Sequence, residues 1–180
     1  IAPQPNSQLS AQTEASTVVL SPTDTYINLN SNNYSTAATV GTYTWPDYQA
    51  ANAILMKFDL SKLPAGAVIQ SAKLRLSLVE ADQKSTPTYN ISAHKIIGGN
   101  PDLATATGYM RTASAAWTAS TCCWSGVPLA QGNISPAYTT VAVDKTLGVK
   151  TWNITSMVKE WMSTPSTNFG LLLNSDASVP

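Results

Sequence analysis

The sequence feature that most constrains the fold lies near the C-terminus, where two apolar runs flank one short helical pattern. Residues 152–161 read Trp-Asn-Ile-Thr-Ser-Met-Val-Lys-Glu-Trp, and residues 168–173 read Asn-Phe-Gly-Leu-Leu-Leu. Thr155 can cap a helix, and Val158, Trp161 and Met162 have the i, i+3, i+4 spacing of one apolar helix face. Gly170 leads directly into the second apolar run. The pattern predicts a strand, a short helix and a second strand.

The rest of the chain reads as short strands separated by turn residues. The run from Ala53 to Leu60 is mostly apolar, which is typical of a central strand buried on both faces, and Ala72 to Val79 alternates apolar and polar residues. Such strands favour an all-β fold, a jelly-roll β-sandwich with one short helix near residues 156–163. Residues 1–16 read as a flexible tail or linker, and residues 17–180 as a single domain. Further strands are expected at 26–29, 38–42, 89–97, 137–143, 149–154 and 171–173.

Composition excludes several classes of function. Charged residues make up 11% of the 180 residues and the formal net charge is zero, which argues against a nucleic-acid-binding protein or a polybasic membrane-surface protein. No apolar run approaches the ~20 residues that span a bilayer. The abundance of Ser, Thr, Asn and Ala suits a secreted, extracellular β-protein, and Ile1 would then follow a signal-peptide cleavage site.

Four segments together resemble a known family. The C-terminal unit is similar to the signature of DNRLRE domains, secreted jelly-roll modules that include carbohydrate-binding module family 96. The resemblance extends to Asp-Thr-Tyr-Ile-Asn at 24–28, to the Phe-Asp-Leu-Ser-Lys-Leu-Pro-Ala-Gly core at 58–66, and to the strand at 69–76. It spans about residues 22–174 and implies the fold more strongly than a function, because one fold hosts many ligands.

One departure from the family pattern concerns the end of the sandwich. The final Arg-Pro-x-Leu-x-Val run of the family is not in this sequence. Either it follows Pro180 in a longer chain, or the sandwich has an open sheet edge, which favours pairing with another strand. The β-prone run from Thr17 to Leu20 could fill that edge, either in the same chain or in a neighbouring copy, and donation to a neighbour would build a filament.

The two cysteines, Cys122 and Cys123, are adjacent in the sequence. In an oxidising, secreted context we expect a vicinal disulfide that forms a rigid apolar knob. Two free thiols or an intermolecular bridge are the alternatives. One histidine and two adjacent cysteines do not make a tetrahedral zinc site.

A catalytic function has little support in the sequence. His94 is the only histidine, and its position on a predicted strand beside Ser92 favours a structural or surface role. No nucleophile elbow, zinc-protease motif or phosphate-binding loop is present, and nothing pairs the few carboxylates in the way a glycosidase needs. We therefore predict that the protein is not an enzyme.

An aromatic segment and a tryptophan beside the cysteines are the better candidates for ligand binding. Aromatic faces stack on the C–H groups of sugars, and amide or carboxylate groups bond sugar hydroxyls. The alternative is that Trp45 and Tyr48 only close the end of the sandwich, and we expect Trp117, Trp152 and Trp161 in the core. The predicted ligand-binding residues of these two regions are Tyr43, Trp45, Asp47, Tyr48, Gln49, Asn52 and Trp124.

Two further predictions rest on the family and on the fold. Family 96 modules are associated with alginate, for which Lys73 and Arg75 could form a basic stripe, although such residues usually only keep a surface soluble. With zero net charge, a neutral glycan is favoured. By analogy with jelly-roll modules, Asp24, Asn174 and Asp176 could hold a structural Ca²⁺, while the alternative for Asp24 is a turn residue.

The function predicted from the sequence is that of a non-catalytic, extracellular carbohydrate-binding module that recognises a polysaccharide through exposed aromatic loops. Its weak binding would tether a partner catalytic domain to an insoluble polymer. The alternative is a structural subunit of an extracellular filament, assembled by N-terminal strand donation between copies of the chain.

Overall fold

The computed structural model describes residues 15–45, 49–82 and 88–175, which form eight strands and one α-helix. The helix covers nearly the predicted range of 156–163, and the predicted all-β sandwich with one short helix is confirmed. None of the described helices is long and apolar enough to cross a membrane. The elements are β1 (Thr23–Asn28), β2 (Tyr43–Trp45), β3 (Gln49–Lys57), β4 (Lys73–Leu78), β5 (Thr88–Ile96), β6 (Ile134–Asp144), β7 (Gly148–Asn153), α1 (Thr155–Ser163) and β8 (Leu171–Ser175).

The strands divide unequally between two antiparallel sheets. The large sheet has the order β1-β3-β8-β5-β6, and β2 also pairs with β3. The small sheet contains only β4 and β7, which pair over six positions from Lys73–Asn153 to Leu78–Gly148. The small sheet is therefore too narrow to cover the whole face of the large one.

The centre of the large sheet is buried on both faces. In β3, Ile54 and Met56 belong to one apolar cluster, while Ala53 and Leu55 belong to another on the opposite face. The neighbouring strand β8 repeats this division, because Leu171 and Leu173 lie on the first face and Leu172 on the second. Each of these strands is continuously apolar because its alternate residues pack into two different cores, one on each face of the sheet.

The small sheet and α1 cover the first face. Leu74 of β4, Trp152 of β7 and the helix residues Met157, Val158 and Trp161 are buried against it. The indole nitrogen of Trp152 donates a hydrogen bond to the carbonyl oxygen of Ile91 in β5, at 2.8 Å, which ties the two sheets together. The prediction that Trp152 and Trp161 lie in the core is confirmed.

A long irregular segment, residues 97–133, covers the second face. Leu103, Val127 and Leu129 are buried there, and Trp117 donates from its indole nitrogen to the carbonyl oxygen of Thr107 at 2.9 Å. The segment approaches β1 closely at Gly108, where a Cβ atom would lie 1.9 Å from the carbonyl oxygen of Asn28. An irregular segment, and not a second sheet, therefore covers this face of the large sheet.

The segment before β1 takes no part in either sheet. Residues 15–22 form no strand, and the side chain of Val19 is 88% exposed. The expectation that Thr17 to Leu20 fills a sheet edge within its own chain is therefore wrong for this structure. Ser21 and Pro22 separate this run from β1, which begins at Thr23.

A charged cluster ties α1 to the large sheet. Glu160 of α1 accepts hydrogen bonds at Oε2 from the ammonium of Lys95 in β5 and, at 2.6 Å, from the hydroxyl of Tyr138 in β6. The Lys95 ammonium also lies 5.7 Å from the centre of the Tyr138 ring. The bond from Lys95, followed by that from Tyr138, lowers the pKa of Glu160, and the bond to Glu160 raises the pKa of Lys95.

Replacing Glu160→Gln should lower the free energy of unfolding at neutral pH by about 0.2–1 kcal/mol, the usual range for an exposed ion pair. Because the folded-state pKa of Glu160 lies below its unfolded value of about 4.3, its contribution is present above that pH and is lost as the pH falls through the folded-state pKa. Urea unfolding at neutral and strongly acidic pH measures the difference, with exposed Glu80→Gln as the control. An equal loss of stability at both pH values would contradict the assignment.

Candidate functional site

One end of β3 is the meeting point of the two regions that the sequence marked for ligand binding. Ala50 forms an isolated parallel bridge with Cys123, and two residues further along Asn52 pairs with both Asn28 of β1 and Tyr43 of β2. The register shifts between Tyr43 and Thr44, so β3 bulges between these two contacts. Residues 50–52 of β3 therefore contact both the loop that carries Cys123 and the strand β2.

The vicinal disulfide is present in the structure. Cys122 and Cys123 are bonded with their Cα atoms 3.8 Å apart, and the described residues contain no free cysteine. Cys122 is exposed while Cys123 is only 3% exposed, packed in the core cluster that contains Ala50. The hydroxyl of Ser120 lies 3.0 Å from the sulfur of Cys122. The ring thus has one face anchored in the core and one cysteine at the surface.

Trp124 follows the disulfide in a 3-10 turn, and 39% of its surface is exposed. The loop that carries it also holds unusual backbone conformations. Ser125, Leu129 and Ala130, with φ angles of 55°, 44° and 61°, are the only non-glycine residues in the described part of the chain with positive φ. Such conformations cost free energy and cluster at functional sites. The loop is therefore a strained support for an exposed indole ring.

The side chain of Tyr43 lies across Asn52. Asn28 and Tyr43 sit on opposite sides of Asn52, each one strand away, and the Tyr43 hydroxyl nevertheless donates to Oδ1 of Asn28 at 3.2 Å. Because neighbouring strands are about 4.8 Å apart, the phenol ring must pass over Asn52 to reach Asn28. Asn52 is consequently only 4% exposed, and its Oδ1 has no hydrogen-bond partner.

A pair of stacked tyrosines adjoins this arrangement. The rings of Tyr26 and Tyr34 are 4.2 Å apart and 16° from parallel, and Asn30 donates to the Tyr34 hydroxyl at 2.8 Å. Burial, followed by the nearness of Tyr34 and Tyr43, raises the pKa of Tyr26. The sequence analysis missed Tyr26 and Asn28 as site residues. Their alternation with buried Ile27 in β1 was the available signal, since it puts them on the face that Tyr43 shares.

No charged residue occurs in the described segments that build this end of the molecule. Residues 28–45, 49–53 and 118–131 contain no Asp, Glu, Lys or Arg. Lys73 and Arg75 lie instead on the exposed side of the small sheet, where they pair with Asn153 and Thr151. The structure therefore separates the predicted basic stripe from the aromatic residues.

Several predicted ligand residues have no described side chain. Asp47 and Tyr48 lie outside the described residues, and Trp45 and Gln49 are described only as a backbone pair between β2 and β3. Of the seven residues predicted for the two aromatic regions, Tyr43, Asn52 and Trp124 are thus the ones whose side chains the structure places.

The residues predicted for calcium do not come together. Asp24 pairs with Met56 of β3, whereas Asn174 pairs with Ala53, three positions away on the other edge of that strand. Both ends of the Asn174 amide are bonded to the amide of Gln131, at 2.8 and 2.9 Å. Asp176 lies outside the described residues, which contain no group of three His, Cys, Asp or Glu side chains able to hold a metal. Asp24 and Asn174 do not fit a shared Ca²⁺ site.

His94 has a hydrogen bond that accounts for its place in β5. Its Nδ1 lies 2.9 Å from the carbonyl oxygen of Ser135 in β6, to which it must donate. Burial lowers the pKa of His94 more than this bond raises it. The neutral imidazole therefore serves as a cross-strand donor, in agreement with a structural role.

Comparison with known proteins leaves the chain without an assigned family. No family model matches it, and no curated protein is similar to it. The resemblance to DNRLRE domains and to carbohydrate-binding module family 96 therefore stays a prediction from the motifs.

Replacing both cysteines, Cys122→Ala with Cys123→Ala, should cost less stability than the about 2–4 kcal/mol of an ordinary disulfide. The reason is that the closed loop contains no intervening residue, so the bond restricts the unfolded chain very little. Urea unfolding of the variant and of the oxidised protein measures the difference, and iodoacetamide labelling with and without reductant confirms the bond in the parent. A loss of 2 kcal/mol or more would contradict this account.

Proposed function

We propose that the protein is a non-catalytic, extracellular carbohydrate-binding module that holds a neutral polysaccharide at the disulfide end of β3. The observation that carries the proposal is that two rings at this end of β3, Trp124 and Tyr43, are each 39% exposed, in segments whose described residues carry no charge. An exposed aromatic face offers a flat apolar surface on which the C–H groups of a sugar can pack. Stacking on the rings supplies contact area, and the amides supply hydrogen bonds that orient the sugar.

The absence of charge from the described segments of this end favours a neutral ligand over alginate. An anionic polymer would be drawn to a basic groove, but Lys73 and Arg75 belong to the other sheet. Amide and hydroxyl groups bind sugar hydroxyls without the desolvation cost of a buried charge. A neutral glycan is therefore the substrate class that we propose.

The vicinal disulfide supports an extracellular location for this activity. Disulfides persist in oxidising compartments and are rare in the cytosol. Binding through one or two exposed rings is weak, and it becomes useful when several modules, or a module and an enzyme, are joined on one chain. We accordingly propose that the domain tethers a partner, such as a catalytic domain, to a polysaccharide.

Replacing Trp124→Ala should abolish most of the retention on the polysaccharide that the parent protein binds, because it removes the larger exposed ring. The measurement is affinity electrophoresis or pull-down on a panel of cellulose, xylan, mixed-linkage glucan, starch and alginate. Leu147→Ala removes a comparable exposed apolar side chain from the turn between β6 and β7 and is the matched control. Unchanged retention of Trp124→Ala, or strongest retention on alginate, would count against the proposal.

A second candidate function is assembly into an extracellular filament by strand donation. The observation that favours it is the run from Thr17 to Leu20, which is β-prone yet unpaired, with Val18 45% and Val19 88% exposed. An exposed apolar extended segment can add to a free sheet edge of another copy. In the large sheet, β1, β2 and β6 each pair with a neighbour on one side only.

Light scattering at several protein concentrations tests the filament. Strand donation predicts high-mass species that disappear when residues 1–20 are removed, or when Val18→Lys and Val19→Lys are introduced together, because charged side chains oppose edge pairing. Val149→Lys, an equally apolar and exposed position on β7, is the matched control. A 19 kDa monomer at all concentrations would rule out this second function.

A further inference from the structure

We infer that a cleft at the end of β3 opposite the disulfide is a second ligand site, which takes a sugar unit carrying an acetamido group. The cleft has a volume of about 630 Å³ and lies between residues 57–61, which begin with the last residue of β3, and the end of α1 with the turn after it. This inference adds a site to the proposed carbohydrate-binding module and uses neither Trp124 nor Tyr43. It can therefore stand or fail independently of the aromatic end.

The surface of the cleft is mostly apolar. Phe58 and Leu60 contribute to it from the segment after β3, and Met162 and Pro165 contribute from α1 and the following turn. Small-molecule sites typically have volumes of about 300–1,000 Å³ and apolar walls with a few polar groups. The cleft is therefore able to enclose the apolar part of a small ligand.

The two charged residues that line the cleft are opposite in sign, and each already has a partner. The ammonium of Lys57 donates to Oδ1 of Asn100 at 2.7 Å. Oδ1 of Asp59 accepts from the hydroxyl of Ser61 at 2.6 Å and from its backbone N–H at 3.1 Å, and these bonds lower the pKa of Asp59. Because the two residues together carry no net charge, the cleft favours a neutral ligand.

Two of the four buried, unbonded polar side-chain atoms in the described residues belong to residues that line this cleft. Trp161, which is fully buried, has a free donor in its indole N–H, and Asn168 has a free acceptor in Oδ1. The orientation of the Asn168 amide is fixed, because its nitrogen donates to the carbonyl oxygen of Phe58 at 3.0 Å and a carbonyl can only accept. The walls of the cleft therefore contain one unused donor and one unused acceptor.

An acetamido group matches these two atoms and the apolar walls. Its carbonyl oxygen can accept from Trp161, its N–H can donate to Asn168, and its methyl group can pack on the apolar surface of the cleft. A plain hexose would instead bring several hydroxyl groups into an apolar cleft, and each hydroxyl that is buried without a partner costs free energy. The ligand class is therefore an N-acetylated sugar unit and not a glucose unit.

Binding requires the movement of a side chain, because neither unbonded atom reaches solvent in the structure. Met162 is half-buried, follows Trp161 in α1, and is the unbranched side chain among the apolar residues that line the cleft. The three rotatable bonds of methionine allow its side chain to repack around a ligand. We assign the movement to Met162, which can shift without a change in the backbone.

The indole N–H signal of Trp161, in a proton–nitrogen correlation spectrum of the labelled full chain, tests the site directly. We expect a saturable shift of this signal on titration with tri-N-acetylchitotriose, because the indole N–H gains an acceptor. Cellotriose has the same linkage but no acetamido groups, and it should leave the signal in place. The absence of a saturable shift with the N-acetylated trimer would overturn the site, and an equal shift with both trimers would overturn the assignment of an acetamido ligand.

Trp161→Phe keeps an apolar ring but removes the donor, so it should bind the N-acetylated trimer about two- to tenfold more weakly, measured from the backbone signals around the cleft. Trp152→Phe is the matched control, because Trp152 lies in the same apolar cluster but already donates its indole N–H to the carbonyl oxygen of Ile91 at 2.8 Å. This control should bind as tightly as the parent protein. Unchanged binding by Trp161→Phe, or an equal loss in both variants, would contradict the inference.

Trp124→Ala separates this inference from the proposed function. It should leave the titration with the N-acetylated trimer unchanged while it removes retention on the polysaccharide panel. If the trimer shifts the Trp161 signal but the parent is retained by no polysaccharide, the cleft stands and the proposed aromatic site is overturned. If Trp124→Ala loses the response to the trimer, the ligand binds at the aromatic end and the second site is overturned.

Discussion

The burial of β3 and β8 on both faces is the constraint on which the rest of the structure depends. Leu171, Leu172 and Leu173 are each almost fully buried, although successive side chains of a strand point to opposite faces. Burying a leucine contributes about 1.5–3 kcal/mol, so exposing either face would forfeit a large share of the marginal stability of a domain. The chain must therefore supply a cover for each face.

The two covers differ in how far the sequence could predict them. The first consists of regular elements with a visible period: the alternation from Ala72 to Val79 predicted β4, and the spacing of Val158, Trp161 and Met162 predicted α1. The second, residues 97–133, has no period because its buried residues are held by turns and isolated hydrogen bonds. Only its tryptophan, Trp117, was predicted to be in the core. Its role as a layer depends on long-range packing that a local pattern does not encode.

Some boundaries of strands and helices that the local sequence predicted differ from those in the structure. The predicted strand at 38–42 lies instead at Tyr43–Trp45, where pairing with β3 is available. Thr155, predicted as a helix cap, is the first residue of α1. The backbone N–H of Thr155 donates to the side-chain oxygen of Asn153 at 3.1 Å. The hydroxyl of Thr155 accepts from the backbone N–H of Ala72 at 2.9 Å. In both cases a tertiary partner outweighed the local preference.

The candidate site was predictable in its residue types but not in its geometry. Tyr43, Asn52 and Trp124 were marked because rings and amides in a turn-rich segment suit sugars. Their segments meet at one end of β3 because of the bridge between Ala50 and Cys123, a contact over more than seventy residues of chain. Likewise, Asn28 becomes part of the site only because register sets it opposite Asn52. Pairing register is fixed by the whole sheet, so residue type alone could not reveal it.

Four buried polar side-chain atoms in the described residues have no hydrogen-bond partner, and Asn52 differs from the other three. Trp161 buries a large apolar ring that offsets its unbonded N–H. Arg111 donates from a second guanidinium nitrogen to the carbonyl oxygen of Gly98, and Asn168, whose oxygen is unbonded, donates from its amide nitrogen to the carbonyl oxygen of Phe58.

Asn52 has neither compensation, although an unsatisfied buried group costs about 1–3 kcal/mol. The positive φ angles of Ser125, Leu129 and Ala130 add a similar cost each, in the loop that joins the same strand end. A leucine at position 52 and glycines in the loop would relieve much of this. The chain therefore concentrates two kinds of avoidable instability beside its exposed rings, which is the pattern expected where binding, and not folding, determines the residues.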